Sequence, residues 1–103
     1  EVSENRRYRR VTPKDPQSTI ILADGVMIDC FVIDISMTGA AVSADLDVTI
    51  GMPMALGTVV GRVVRMLDPG FAIEFQTRVD FDSLEHQLIC PRSQLRKRLL
   101  ERA

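Results

Sequence analysis

From Ser18 onward the chain reads as short runs of β-forming residues separated by turn signals. Ser18 to Leu22 predicts a first strand, and Ala23-Asp24-Gly25 a tight turn, because Asp-Gly readily adopts the backbone a two-residue hairpin loop needs. The next run, Val26 to Ile35, is apolar on both faces under strict alternation, with Ile28, Cys30 and Val32 on one and Met27, Phe31, Ile33 and Ile35 on the other. Apolarity on two sides predicts burial on two sides, in a barrel covered by another element. The run breaks at Asp34-Ile-Ser-Met-Thr-Gly39, and Ala40 to Ser43 pairs back. After a polar connection punctuated by Gly51 and Pro53 come Met54 to Leu56 and Thr58 to Leu67, where Val60, Arg62 and Val64 alternate against Val59, Val63 and Arg65. Asp68-Pro69-Gly70 turns the chain into Phe71 to Phe75. Six short strands joined by tight turns predict a mainly β fold, a six-stranded antiparallel barrel.

The period changes at the C-terminal end. Asp82 with Glu85 three residues later has the form of an N-cap with its reciprocal partner, and Leu84, Leu88 and Ile89 then share one helical face. Pro91 ends or kinks that helix, and Ser93 to Arg102 resumes helical spacing with basic residues opposite Leu95, Leu99 and Leu100. A helix across one barrel opening would explain the two-faced second strand. The opening residues, Glu1 to Pro16, show no apolar periodicity and contain Pro13 and Pro16, which predicts an extended arm. The expected organisation is therefore a single domain: an arm over 1–16, a barrel over 17–79 and a helical tail over 80–103.

At 103 residues with 46% hydrophobic and 26% charged positions, the chain can bury a core without metal or disulfides, which excludes a disordered or fibrous class. The absence of an apolar run of roughly 18 residues, or of an apolar segment behind the first arginines, leads to the expectation of a cytoplasmic protein with no transmembrane segment. Cys30 and Cys90 lie in no CxxC or Cys/His cluster and read as small buried hydrophobes. With one histidine, His86, and no nucleophile elbow or phosphate-binding glycine loop, the sequence supports neither catalysis nor a metal site. The net charge of −1 conceals an asymmetry that does change the picture. Residues 1–14 and 92–103 together hold ten basic and three acidic side chains, a net +7 that leaves −8 on residues 15–91. Basic ends on an acidic body suggest an anionic ligand or partner.

Two stretches carry candidate chemistry. Asn5-Arg-Arg-Tyr-Arg-Arg10 packs four guanidiniums and an aromatic ring into six residues, able to pair with phosphates and stack on bases, or simply to form a solvated charge run. An arginine fork matches the O6 and N7 acceptors of guanine. A carboxylate such as Asp34 complements the opposite edge, where guanine offers N1–H and N2–H donors. In Asp34 to Gly39, Asp and Ser can equally cap backbone groups and Gly supply a turn dihedral.

Taken together, Arg6 and Arg10 in RxxxR spacing, Asp34-Ile-Ser-Met-Thr-Gly39 as DxSxxG after one hairpin, Val11-Thr12-Pro13, Gly61 to Arg65 and Gly70 to Phe75 resemble the PilZ domain over nearly the whole chain. The resemblance implies a receptor for the bacterial second messenger cyclic di-GMP on a six-stranded barrel, with no enzyme activity and no cofactor beyond that ligand. It implies that Arg6 and Arg10 clamp phosphate and the Hoogsteen edge of guanine with Arg7 assisting, that Asp34 takes the Watson–Crick edge, that Ser36 meets the ligand through hydroxyl or backbone, and that Gly39 lies at the close approach. Tyr8 and Arg9 are not motif positions. The arm's rearrangement would relay the signal to a downstream protein or fused effector domain. The alternatives are a nucleotide-independent protein–protein adaptor and a small nucleic-acid-binding barrel; no specific nucleic acid is expected.

Overall fold

The computed structural model describes residues 9–94. Alternation of apolar positions builds six strands: β1 (Gln17–Leu22), β2 (Met27–Ile35), β3 (Gly39–Ala44), β4 (Pro53–Leu56), β5 (Val59–Met66) and β6 (Phe71–Phe75). They close into an antiparallel barrel in the order β1-β2-β3-β6-β5-β4, with β4 returning to pair with β1. Ile20, Val32, Val42, Leu56, Val63 and Phe71 are at most 2% exposed and fill the interior, which closure leaves without a free sheet edge.

Strict alternation fails in two strands, at a β-bulge in each. In β2 the register shifts between Val32 and Asp34, so Cys30, Val32 and Ile35 are all buried while Phe31 is 53% exposed. The extra residue, Ile33, switches the face on which its successors lie, and Ile35 therefore does not share a side with Phe31. The strand covered on both sides is β1. Its neighbours Ser18 and Thr19 point to opposite faces yet are both buried, their hydroxyls donating to the carbonyls of Leu88 and Cys90. The second bulge lies in β5, between Val63 and Arg65, and bears on the site below.

A 3-10 turn at Phe81–Ser83 leads into a short helix, α1 (Leu84–Leu88), whose Leu84 and Leu88, with Ile89, join the barrel core as their spacing predicts. The expected pairing of Asp82 with Glu85 does not form. Ser83 holds the cap position without a side-chain bond, and Glu85 instead accepts a 2.7 Å hydrogen bond at Oε2 from the backbone N–H of Lys14. A donor from the arm has taken the carboxylate that the cap would have used. The stretch from Ser93 to Arg102 lies for the most part outside the described residues.

Two expectations follow from this packing. Ser18 Oγ also accepts from the Cys90 N–H at 3.0 Å, so Ser18→Ala strands a buried donor and acceptor together and should cost about 1–3 kcal/mol in a denaturant melt. Burial, reinforced by the Asp29 carboxylate against a smaller hydrogen-bond effect from Ser18, pushes the Cys30 thiol up to about 12. Unfolded cysteine ionises near its ordinary value of 9.0, so between there and about 12 the folded state holds the extra proton. Stability contributed by the neutral thiol is thus present below pH 9 and lost as pH rises through that window. The thermal midpoint should fall across it, and less so in Cys30→Ala.

Candidate functional site

At one end of the barrel β2 terminates, the chain turns, and β3 begins. The arm docks at that end because Val11 exchanges two backbone hydrogen bonds with Ile35, at 2.8 and 2.9 Å, and packs against the core. That bridge brings Arg10 alongside Asp34, on the residue following the β2 bulge. Arg10 donates from Nε and Nη2 to the same carboxylate oxygen, Oδ1, at 2.8 and 2.6 Å, with both side chains about one-third exposed. A half-solvated isolated pair of this kind contributes only about 0–1 kcal/mol, so it exchanges partners cheaply.

Ser36 lies within the turn, 1% exposed. Its Oγ accepts from the Gly39 N–H at 3.3 Å and the Thr38 N–H at 3.4 Å and donates to the Gly39 carbonyl at 3.2 Å. The hydroxyl and backbone amide of Ser36 thus hold the turn shut, the amide donating to the same Gly39 carbonyl at 2.8 Å. Gly39 is outside the positive-φ set, and its missing side chain serves a close approach: a Cβ there would lie 2.5 Å from the Ile73 carbonyl of β6. The turn is fastened to β6 and beyond by the carbonyls of Thr38 and Met37, which accept from Phe75 and Val79.

Outside the barrel wall, the register sets Gly39 beside Glu74 and Ala41 beside Ala72, and Ala72 in turn beside Arg65. The row of small residues leaves a shallow cleft of about 220 Å³ bounded by Arg10, Thr38, Gly39, Val64, Arg65 and Glu74. Three larger clefts among the described residues, about 560 Å³ next to Phe31, about 470 Å³ next to Gly61 and about 280 Å³ next to Thr58, include none of the candidate residues. Arg65 does not share a face with Val59 and Val63, as uninterrupted alternation implies. The bulge at Val64 advances the strand by one residue and turns Arg65 outward. No compositional signal marks that bulge, which is why Arg65 is missing from the sequence-derived site.

Of the six residues singled out in the sequence, Arg10, Asp34, Ser36 and Gly39 come together here, Ser36 and Gly39 inside the turn and Arg10 and Asp34 on its surface. Arg6 and Arg7 lie outside the described residues, as does Tyr8. Arg9 sits with its guanidinium carbon 4.6 Å from the Phe81 ring centroid, directed at the segment before α1 rather than at the cleft. Among the described residues no group of three or more His, Cys, Asp or Glu side chains converges, and no helix is long and apolar enough to cross a membrane.

A family model described as the PilZ domain matches residues 4–90. Searches of curated proteins and of solved structures returned no significant match.

Proposed function

The chain belongs to the PilZ family, a family of cyclic di-GMP receptor domains, and we propose that it binds cyclic di-GMP at the junction of arm and turn and signals by moving the arm. The observation that carries this reading is the Arg10–Asp34 pair: the last arginine of RxxxR and the first residue of DxSxxG, 24 positions apart, meet at the mouth of one cleft. Guanine offers each partner a two-point match, whereas the pair between them uses a single carboxylate oxygen. Its N1–H and N2–H donors suit the Asp34 carboxylate, and its O6 and N7 acceptors, or a phosphate, suit a guanidinium. Arg6 and Arg7 supply further positive charge from the same arm. Ser36 and Gly39 act by holding the turn that presents Asp34 and by keeping the adjoining surface low.

The relay follows from what the arm touches. A ligand that draws on Arg10 and Asp34 competes with their own pairing and pulls on the arm, which is held by the Val11–Ile35 bridge, the Lys14 amide on Glu85 and Arg9 on Phe81. Two of those three attachments lead to the segment ending in α1. A ligand that repositions the arm therefore alters what the helical end presents to a downstream protein or fused domain, provided it favours that arrangement over the unliganded one. The role is that of a binding module, not an enzyme.

The test is calorimetric titration of cyclic di-GMP into the chain at two salt concentrations, with GTP and a random oligonucleotide as controls. Saturable binding of cyclic di-GMP alone supports the receptor reading and reports stoichiometry. No binding of any of the three would leave the adaptor role, and oligonucleotide binding with a steep salt dependence would favour the nucleic-acid barrel.

A further inference from the structure

Resting on the cyclic di-GMP reading, we propose that Arg65 is a further ligand-binding residue of this site, its guanidinium closing the cleft opposite Arg10 and pairing with a phosphate oxygen of the nucleotide. Three observations converge. The β5 bulge places Val64 and Arg65 together on the cleft wall, where regular alternation would have turned Arg65 toward the side of Val63. Bulges commonly re-aim a side chain, and here the re-aimed one is a cation facing small residues, Ala72 beside it and Ala41 one strand further. Among the described residues Arg65 is exposed on that side.

Arg65 is also uncommitted. Among the described residues it makes no hydrogen bond and no ion pair, whereas Arg62 on the same strand has Glu74 at 3.7 Å and Arg10 has Asp34. The charge balance gives it a purpose. At the cleft and its mouth Asp34 is matched by Arg10 and Glu74 by Arg62, which leaves no positive charge over for a ligand with two phosphates. Arg65 supplies that charge before any other arginine of the arm arrives, and it does so on the wall that the arm does not supply.

The test compares cyclic di-GMP affinity, by the same titration at two salt concentrations, for the wild-type chain, Arg65→Ala, Arg65→Lys and Arg62→Ala. Arg62 has equal charge on the same strand but does not line this cleft, so it controls for a general electrostatic effect. A charge-assisted contact predicts a loss of roughly tenfold or more for Arg65→Ala, partial retention in Arg65→Lys, a weaker salt dependence once the charge is gone, and an Arg62→Ala value within about twofold of wild type. The thermal midpoint of Arg65→Ala should match wild type, since the side chain is exposed and unpaired. Wild-type affinity in Arg65→Ala, or equal losses at Arg62 and Arg65, would overturn the assignment while leaving the receptor reading intact. Failure of the wild-type chain itself to bind would overturn both.

Discussion

Replacing Asp34 with alanine is expected to weaken cyclic di-GMP binding by about a hundredfold or more, with a change in folding stability of no more than about 1 kcal/mol. The two halves of this expectation have different origins. In the structure Asp34 accepts two hydrogen bonds from Arg10, but both partners are one-third exposed, and such a pair adds about 0–1 kcal/mol to stability. In the complex the carboxylate would accept two donors from the edge of a guanine. Each charge-assisted bond is worth about 1.5–3 kcal/mol, and every 1.4 kcal/mol is tenfold in affinity. Asp34→Asn should fall in the same range, because its amide can accept only one of the two donors and sets its own NH₂ against the other. Paired titrations and thermal melts of the two variants check both halves. A variant that melts like wild type and binds like wild type would remove Asp34 from the site.

Gly39→Ala should show the opposite profile, a protein destabilised by roughly 1–3 kcal/mol before any nucleotide is added. The added Cβ would lie 2.5 Å from the Ile73 carbonyl, a backbone atom that cannot swing aside as a side-chain tip can. β6 is held between β3 and β5, so retreat on one side compresses the other. For a domain of this size each kcal/mol moves the thermal midpoint by about 4–8 °C, so a fall of roughly 5–20 °C is expected in a melt without ligand. Unchanged stability would mean that β3 and β6 separate freely at this point, and the requirement for glycine would then belong to the ligand instead.

These two residues show how differently parts of the site can be read from sequence. Asp34 and Arg10 are legible because charged side chains at fixed spacings carry chemistry wherever the fold places them, and the fold does place them together. Gly39 is legible as a special position but not as a special contact. Its neighbour Ile73 lies 34 residues on, and only the β3–β6 register reveals that the space is already taken by backbone. Strand positions were readable from alternation and turn residues, β6 to the residue, since Asp-Pro-Gly bounds it on one side. The bulges were not. A bulge adds one residue without changing composition, and each reverses the facing of everything after it: Ile35 moves into the core, and Arg65 moves out to the cleft. The cap at the start of α1 misleads for another reason. Asp82 and Glu85 have the right spacing, but a local hydrogen bond competes with every donor that tertiary structure brings near, and the Lys14 amide reached Glu85.

The most direct test of the central claim is a two-dimensional amide NMR titration of the isotope-labelled chain with cyclic di-GMP. Nucleotide seated at the junction of arm and turn should shift the amides of Arg10, Asp34, Thr38 and Gly39, together with Val11 and Ile35, whose mutual hydrogen bonds anchor the arm. The far end of the barrel, at the Asp24-Gly25 and Asp68-Pro69-Gly70 turns, should stay in place. A saturating titration in which the arm and turn amides do not move, or in which the shifts gather at the far end, would contradict the account.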